Sequence, residues 1–452
     1  MEPKPNPIQN EIISGKEGVK VSLSKAPEIQ VKNKRKIRVL WYSDFLRHTG
    51  FGNVAEEILS RLLKTGKYEF TVLGINYNGT PYNFKASEYY HLKDVPVFPA
   101  SFGGGDFLGH SNLLKMLDGL DFDLFFTLQD TFNMVPLQDA IDVARQKKRF
   151  KYIFYFPVDG VLRKDWVKNG VRVADIPVVY NEFGKKEVLR HYPATDLQVI
   201  PHGVDLKIFK PFDNSEDRDS FRKNYFCIPA GKNPWLISSV ARNQQRKDLP
   251  RTILAFGQFL KRFPEVNAYL YLHCFAHDNA GHNLKNLLQA YLPEYLWERC
   301  LMPSPEKFGE NGLSPSDIAK VYASSDLITS TSLGEGWNLS VTEAMACGVP
   351  LVIPKHTSHT ELIGANQERG YLVECGTTNS EYVVLRQDNE VVRPLTNIDS
   401  LVNTWKHVYD NQDEAKKKAG VARDWVQNLS WDKVAKAWDI VFTEAYDSVE
   451  NA

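Results

Sequence analysis

Two carboxylates, Glu335 and Glu343, stand in the run GEGWNLSVTEAMACGVPLVIP from Gly334 to Pro354, with seven residues between them. Glu335 lies in a glycine-flanked loop, and Glu343 lies where a helix is already running. Gly348 and Pro350 stop that helix, and Leu351, Val352 and Ile353 read as a short buried strand. A helix start presents free N–H groups, here those of Asn338, Leu339 and Ser340, and so attracts an anion such as a diphosphate. A carboxylate one turn further in accepts two hydroxyl hydrogen bonds at once, which suits a ribose. The loop carboxylate can do the same for the hydroxyls of a transferred sugar. The segment is therefore expected to hold a sugar nucleotide. The competing reading is an ordinary helix and strand carrying two solvated acids.

With Gly334, Gly336, Glu343-Ala344 and Gly348-Val349-Pro350 around the acids, the segment resembles the E-x7-E motif of the retaining glycosyltransferases of family 4, which have the GT-B fold. The resemblance implies that Glu335 lies by the donor sugar and that Glu343 binds the nucleotide ribose. The family often has a glycine where this chain has Asn338, whose side chain is expected to narrow the approach to the donor phosphates. Arg242 and Lys247 resemble the family's R-x4-K pair, which holds the donor diphosphate. Two fixed cations stabilise the charge that develops there as the glycosidic bond breaks. Arg246 interrupts the simplest form of that pattern, facing either the site or solvent.

Upstream, Ile200-Pro201-His202-Gly203-Val204-Asp205, with Phe209 and Pro211, resembles the family's H-G-V-D…F-x-P junction and reads as an interdomain turn. Asn181 to Glu187 resembles the S-x-F-G-K segment with Asn181 in place of serine, and either residue serves as a helix N-cap. Asp44, Asp130 and Asp159 follow strands of the first half and are acceptor-side candidates. Many family members have a histidine near the position of Asp159, whose carboxylate is expected to orient an acceptor or the sugar's 6-hydroxyl, or only to shape a turn before Gly160. Gly50 and Gly52 are expected to let the first domain's loop approach the donor. His273, His277 and His282 do not share one face, and Asp121-Phe122-Asp123 reads as a strand entry, so neither is read as a metal set. No metal or cofactor beyond the donor substrate is expected.

The elements that must position these residues alternate along the chain. Short apolar strands are predicted at 37–43, 69–75, 123–128, 152–156, 177–180 and 198–200, with a glycine turn at 49–52 and helices at 53–64, 112–119 and 136–147. A second series has strands near 235–240, 268–273, 326–330 and 350–353 and helices near 249–263, 284–292, 315–324 and 339–347. Strand–helix alternation of this kind implies parallel sheets covered on both faces. The expected fold is α/β of GT-B type, two Rossmann-like doubly wound domains facing a deep interdomain cleft, where such sheets bind ligands. The expected division is a poorly ordered arm at 1–36, an acceptor domain at 37–207, a donor domain at 208–430 and a C-terminal helix at 431–452 crossing back to the first domain. The stretch 307–327 resembles the loop and helix that hold the nucleotide base. Residues 76–115, with the run Gly103-Gly104-Gly105, are expected to form variable acceptor loops.

The chain has 452 residues, 43% of them hydrophobic, enough to build the cores of two domains. Lys+Arg and Asp+Glu both number 55, so no global charge draws the protein to nucleic acid or membrane. No apolar run is long enough to span a bilayer, and the N-terminus lacks a secretory core. Five scattered cysteines fit a reducing cytoplasm. The basic run KNKRK at 32–36 would suit a peripheral contact with an anionic acceptor or lipid. The resemblance implies transfer of a hexose-type sugar from a nucleoside-diphosphate sugar, with retention, to an unspecified glycan, lipid, protein or other acceptor. Two alternatives stand beside it. One is a nucleotide- or sugar-binding protein with weak catalysis. The other is a nucleic-acid glycosyltransferase using a basic groove around RQKKRFK at 145–151.

Overall fold

The computed structural model describes residues 35–46, 49–80, 92–101, 105–228, 234–304, 313–386 and 388–451. The N-terminal arm up to residue 34, Gly103 and Gly104, and residues 307–312 of the expected base-holding segment lie outside the described residues.

Two parallel sheets carry the molecule. The first contains Ile37–Asp44 (β1), Tyr68–Ile75 (β2), Val97–Pro99 (β3), Leu124–Leu128 (β4), Lys151–Phe156 (β5), Ile176–Val179 (β6) and Gln198–Val199 (β7), in the order β3-β2-β1-β4-β5-β6-β7. The second contains Trp235–Val240 (β8), Ala268–His273 (β9), Cys300–Leu301 (β10), Leu327–Thr329 (β11), Leu351–Pro354 (β12) and Tyr371–Val373 (β13), in the order β10-β9-β8-β11-β12-β13. Every pairing within the two sheets is parallel. The central strands are buried along nearly their whole length, as the unbroken apolar runs require when helices cover both faces. This is the α/β two-sheet GT-B architecture.

The strand order reverses between β1 and β4 in one sheet and between β8 and β11 in the other. Ligands in such sheets bind outside the carboxyl ends of the strands at these switch points. Asp44 ends β1 and Asp130 follows β4, while Arg242 to Lys247 follow β8 and Ser330 to Glu335 follow β11. The topology thus brings the predicted chemistry to two facing strand ends.

The glycine turn expected at 49–52 is instead the first turn of helix Gly50–Lys64. Thr49 caps it, accepting the Gly52 N–H at 3.0 Å, and so satisfies a helix-start donor that a turn would have left to solvent. Helix Trp431–Glu450 packs on helix Gly50–Lys64 and on β4 and β5 of the first sheet. Its Trp438 and Phe442 enter an aromatic cluster with Trp41, Phe126 and Tyr155. Among the described residues no helix is long and apolar enough to cross a membrane.

Candidate active site

Glu335 sits between β11 and helix Leu339–Ala346 and is only 6% exposed. A buried carboxylate requires charge partners, and two are present. Lys247 Nζ contacts one oxygen, and Arg246 Nη1 lies 3.2 Å from the other and also donates to the Gly334 carbonyl. Ser332 Oγ donates to Glu335 at 2.6 Å. Burial alone would raise this carboxyl, but Lys247 and Arg246 outweigh it and hold it well below the usual carboxylate range. Glu335 is therefore an anion with its oxygens already oriented.

The loop that carries it is strapped from one side. Thr357 Oγ1 accepts the Glu335 N–H at 3.1 Å, and Ser358 Oγ donates to the Trp337 carbonyl at 2.8 Å. Asn338 Nδ2 donates to His359 Nε2 at 2.8 Å, and His359 Nδ1 faces the Pro354 carbonyl at 3.2 Å. Burial pushes the His359 imidazole down to about 3, so it is neutral. With Nε2 accepting, its single proton belongs on Nδ1 and is directed at Pro354. Asn338 itself has φ +88°, a backbone region that favours glycine, which explains why a glycine suits this position. The asparagine is held there because its carboxamide nitrogen is committed to His359 rather than loose over the helix start.

Helix Leu339–Ala346 begins immediately after this loop and ends on Gly348 at φ +71°, where the Gly348 N–H reaches the Met345 carbonyl at 3.0 Å. Glu343 lies one turn inside, accepting from the Tyr322 hydroxyl at 3.0 Å. Burial pushes this carboxyl up to about 7, with the Tyr322 hydrogen bond opposing it. A small pocket unites Lys247, Glu335, Asn338 and Ser340 with Val240 and Ser330 from the ends of the neighbouring strands. Leu339 packs its side chain on the core, leaving its backbone at the helix start.

Arg242 does not join them. Its side chain is 59% exposed and pairs with Asp278 at 3.0 Å. The short 3-10 turn Gln245–Lys247 carries Arg246 and Lys247 inward instead. Gly50 and Gly52 stay on the first half, one turn from Asp44, which accepts from Thr49 Oγ1 at 2.6 Å and Asn76 Nδ2 at 3.2 Å.

Asp159, three residues beyond β5, faces the second half directly. Arg246 Nε lies 3.5 Å from it, and Arg393 Nη1 donates to its carbonyl at 2.7 Å. A Cβ on Gly334 would meet the Asp159 carbonyl at 2.0 Å, and one on Gly336 would meet Pro157 at 2.7 Å. Only bare backbone allows the loop of the second half to press this closely on the first. Asp130 stands nearby, pushed up to about 7 by burial and then by the charge of Asp159. Arg393, Thr357, Ser332, Tyr322 and His359 carry no spacing motif. Thr357 and His359 follow β12, and position after a parallel strand was the available signal.

His273 ends β9, buried, with Nδ1 2.9 Å from the Tyr271 hydroxyl. Asp123 accepts the Arg38 N–H at 2.9 Å and the Arg35 guanidinium at 2.7 Å, a strand-entry brace. Lys147 and Arg145 of the basic stretch pair with Asp118 and Asp175 at the amino end of β5, away from the cleft.

Comparison with known proteins agrees with this geometry. Residues 309–385 match the family model described as glycosyl transferases group 1. The chain is 28% identical over 184 residues to a D-inositol 3-phosphate glycosyltransferase of Corynebacterium jeikeium, covering 40% of this chain and 41% of that one. It is 26% identical over 345 residues to a probable sucrose-phosphate synthase of Thermosipho melanesiensis, covering 67% of this chain and 74% of that one. The chain thus matches less than half the length of the first of these relatives. Among solved structures, the sucrose-phosphate synthase of Thermosynechococcus elongatus superimposes with a TM-score of 0.67 at 16% identity, over 92% of this chain and 100% of that one. Anabaena HepE in complex with UDP and glucose superimposes with a TM-score of 0.65 at 16% identity, over 90% of this chain and 100% of that one. With two strand ends facing across a cleft, a buried glutamate held by two cations, and a second glutamate one helical turn on, the chain has a GT-B fold and is similar over residues 309–385 to the glycosyl transferases group 1.

Proposed function

We propose that this protein transfers a sugar from a nucleoside-diphosphate sugar to an acceptor hydroxyl with retention of anomeric configuration. The observation that carries the proposal is Glu335, buried and anionic between Lys247 and Arg246 at the start of helix Leu339–Ala346. The diphosphate sits at that helix start, against the N–H groups of Leu339 and Ser340 and the two cations. Arg242, on the same loop, leaves Asp278 to complete the set. Glu343 takes the ribose hydroxyls and Glu335 those of the sugar.

The acceptor oxygen bonds to the anomeric carbon on the face from which the diphosphate departs. The bond from that carbon to the diphosphate oxygen breaks, and that oxygen takes the acceptor proton, so no strong protein base is needed. Lys247, Arg246 and Arg242 stabilise the charge left on the diphosphate without a resident metal or cofactor. Asp44, Asp130 and Asp159 form the acceptor wall, and the close approach of the two halves limits access of water to the sugar.

A nucleic-acid acceptor has less support, because the basic stretch at 145–151 is ion-paired at the far end of β5. Thermal unfolding of wild type and Glu343→Ala with UDP, GDP and ADP tests the donor site. A nucleotide at about 100 times its Kd adds about 2.7 kcal/mol of stability, and Glu343→Ala abolishes the shift. Uridine diphosphate is the first probe, since HepE is known in complex with it. Nuclear magnetic resonance of the released sugar then reads the anomer. Inversion of an α-linked donor would overturn retention, and no shift with any nucleotide would overturn the donor site.

A further inference from the structure

Asn181 follows β6 and is 1% exposed. Its side-chain oxygen caps helix Glu182–His191, accepting the Gly184 N–H at 2.8 Å. Its side-chain nitrogen performs a second task, donating to the Gly336 carbonyl of the other half at 2.5 Å. That carbonyl lies between Glu335 and Trp337, inside the strapped loop. The next residue repeats the connection, since the Glu182 N–H donates at 2.9 Å to Glu361 Oε2. Glu361 belongs to helix Ser358–Ile363; Thr357 before that helix holds Glu335, and its Ser358 and His359 hold Trp337 and Asn338. Both cross-cleft bonds therefore end on the framework that orients Glu335.

A serine at this position would cap the helix as well as asparagine does. Its hydroxyl, one bond from Cβ, cannot cap and also extend to the Gly336 carbonyl. The amide does both because its two polar atoms diverge from one carbon. We infer that Asn181 is a positioning residue that couples closure of the two halves to the orientation of the Glu335 loop. The inference rests on the glycosyltransferase reading for its kinetic consequence, though not for its geometry. Closure supplies the Gly336 carbonyl with a donor and adds a hold from the first half to those that the second half already places on the Glu335 loop.

The test compares Asn181→Ser with Asn214→Ser. Asn214 caps helix Ser215–Phe226 through the Asp217 N–H at 2.8 Å. That makes it a cap-for-cap control. Two measurements are made on the full chain. Amide hydrogen exchange at residues 335–338 reads the loop directly, without any substrate. Steady-state transfer from a UDP-sugar, with UDP affinity measured separately, reads the consequence.

Asn181→Ser is expected to leave the melting temperature and UDP affinity near wild type, to speed exchange at 335–338, and to lower kcat about tenfold with little change in donor KM. Asn214→Ser should change none of these. Unchanged exchange at 335–338 in Asn181→Ser overturns the coupling whether or not transfer is detected. Equal losses of kcat, UDP affinity and melting temperature overturn it in favour of a purely structural cap. Faster exchange with no transfer by wild type leaves the loop coupling standing and defeats the glycosyltransferase reading instead.

Discussion

Glu335 and Glu343 are eight positions apart and are pushed in opposite directions. Two cations hold Glu335 ionised, whereas burial lifts Glu343 to about 7, with only a tyrosine hydroxyl opposing it. Environments that separate two like groups assign them different roles. Ribose hydroxyls donate to a carboxylate better than to a carboxyl, so under the proposed function nucleotide binding is expected to favour the deprotonated Glu343. Below about pH 7 the free protein must first lose that proton. Nucleotide affinity is therefore expected to rise between pH 6 and 8 and then level off, with proton release on the acid side. Calorimetry in buffers of different ionisation enthalpy reads both effects, and Glu343→Gln should flatten them. The same shift acts on folding with a defined sign. A carboxyl raised above its unfolded value stabilises the fold at low pH, and this contribution is lost as pH rises from about 4.5 through 7. The two acids were legible because spacing and charge are written in the chain. The choice of Arg246 over Arg242 as the inward cation was not. It depends on the turn Gln245–Lys247, whose direction no side-chain pattern encodes.

The long elements follow from their hydrophobic patterns. β8 and β9 occupy the predicted runs, and helix Pro315–Ser324 begins on the Ser314 cap, whose Oγ accepts the Asp317 N–H at 3.2 Å. Shorter elements escaped because three to six residues contain less than one or two periods. Helix Ser358–Ile363, which braces the Glu335 loop, is six residues long, and Arg393 sits on a three-residue strand of an antiparallel hairpin. The junction at Gly203 was read as a turn, and its spatial requirement is stricter than that. A Cβ there would meet the Trp431 ring at 2.5 Å and its backbone at 2.8 Å. Val204 donates to the Leu429 carbonyl at 2.8 Å, fixing the two segments together. Gly203→Ala is therefore expected to cost about 2–3 kcal/mol by forcing the helix start at Trp431 outward. Urea denaturation measures the loss, and Gly50→Ala, where nothing lies within 4 Å, should cost far less.

Across the whole molecule, the two sheets are tied by more than their cleft. Helix Trp431–Glu450 follows the second sheet in sequence yet completes the core of the first, with Trp438 fully buried against Phe126 and Tyr155 at ring distances of 5.3 and 4.8 Å. Lys67 and Tyr68 at the start of β2 reach Asp439 at 2.6 Å each. Trp438→Ala should therefore cost about 3–5 kcal/mol and loosen the first half, not the second. Hydrogen exchange in β4 and β5 against β8 and β9 decides where the loss falls. The arrangement also sets the order of events during synthesis. Domains ordinarily fold as they leave the ribosome, the N-terminal one first. Here the face of the first sheet that carries Trp41, Phe126 and Tyr155 has no cover from this helix until residues 431–450 have been made. The first half must wait, with aromatic surface exposed, for the whole of the second sheet to be translated. Slowing elongation late in the message would lengthen that wait and lower the yield of native protein.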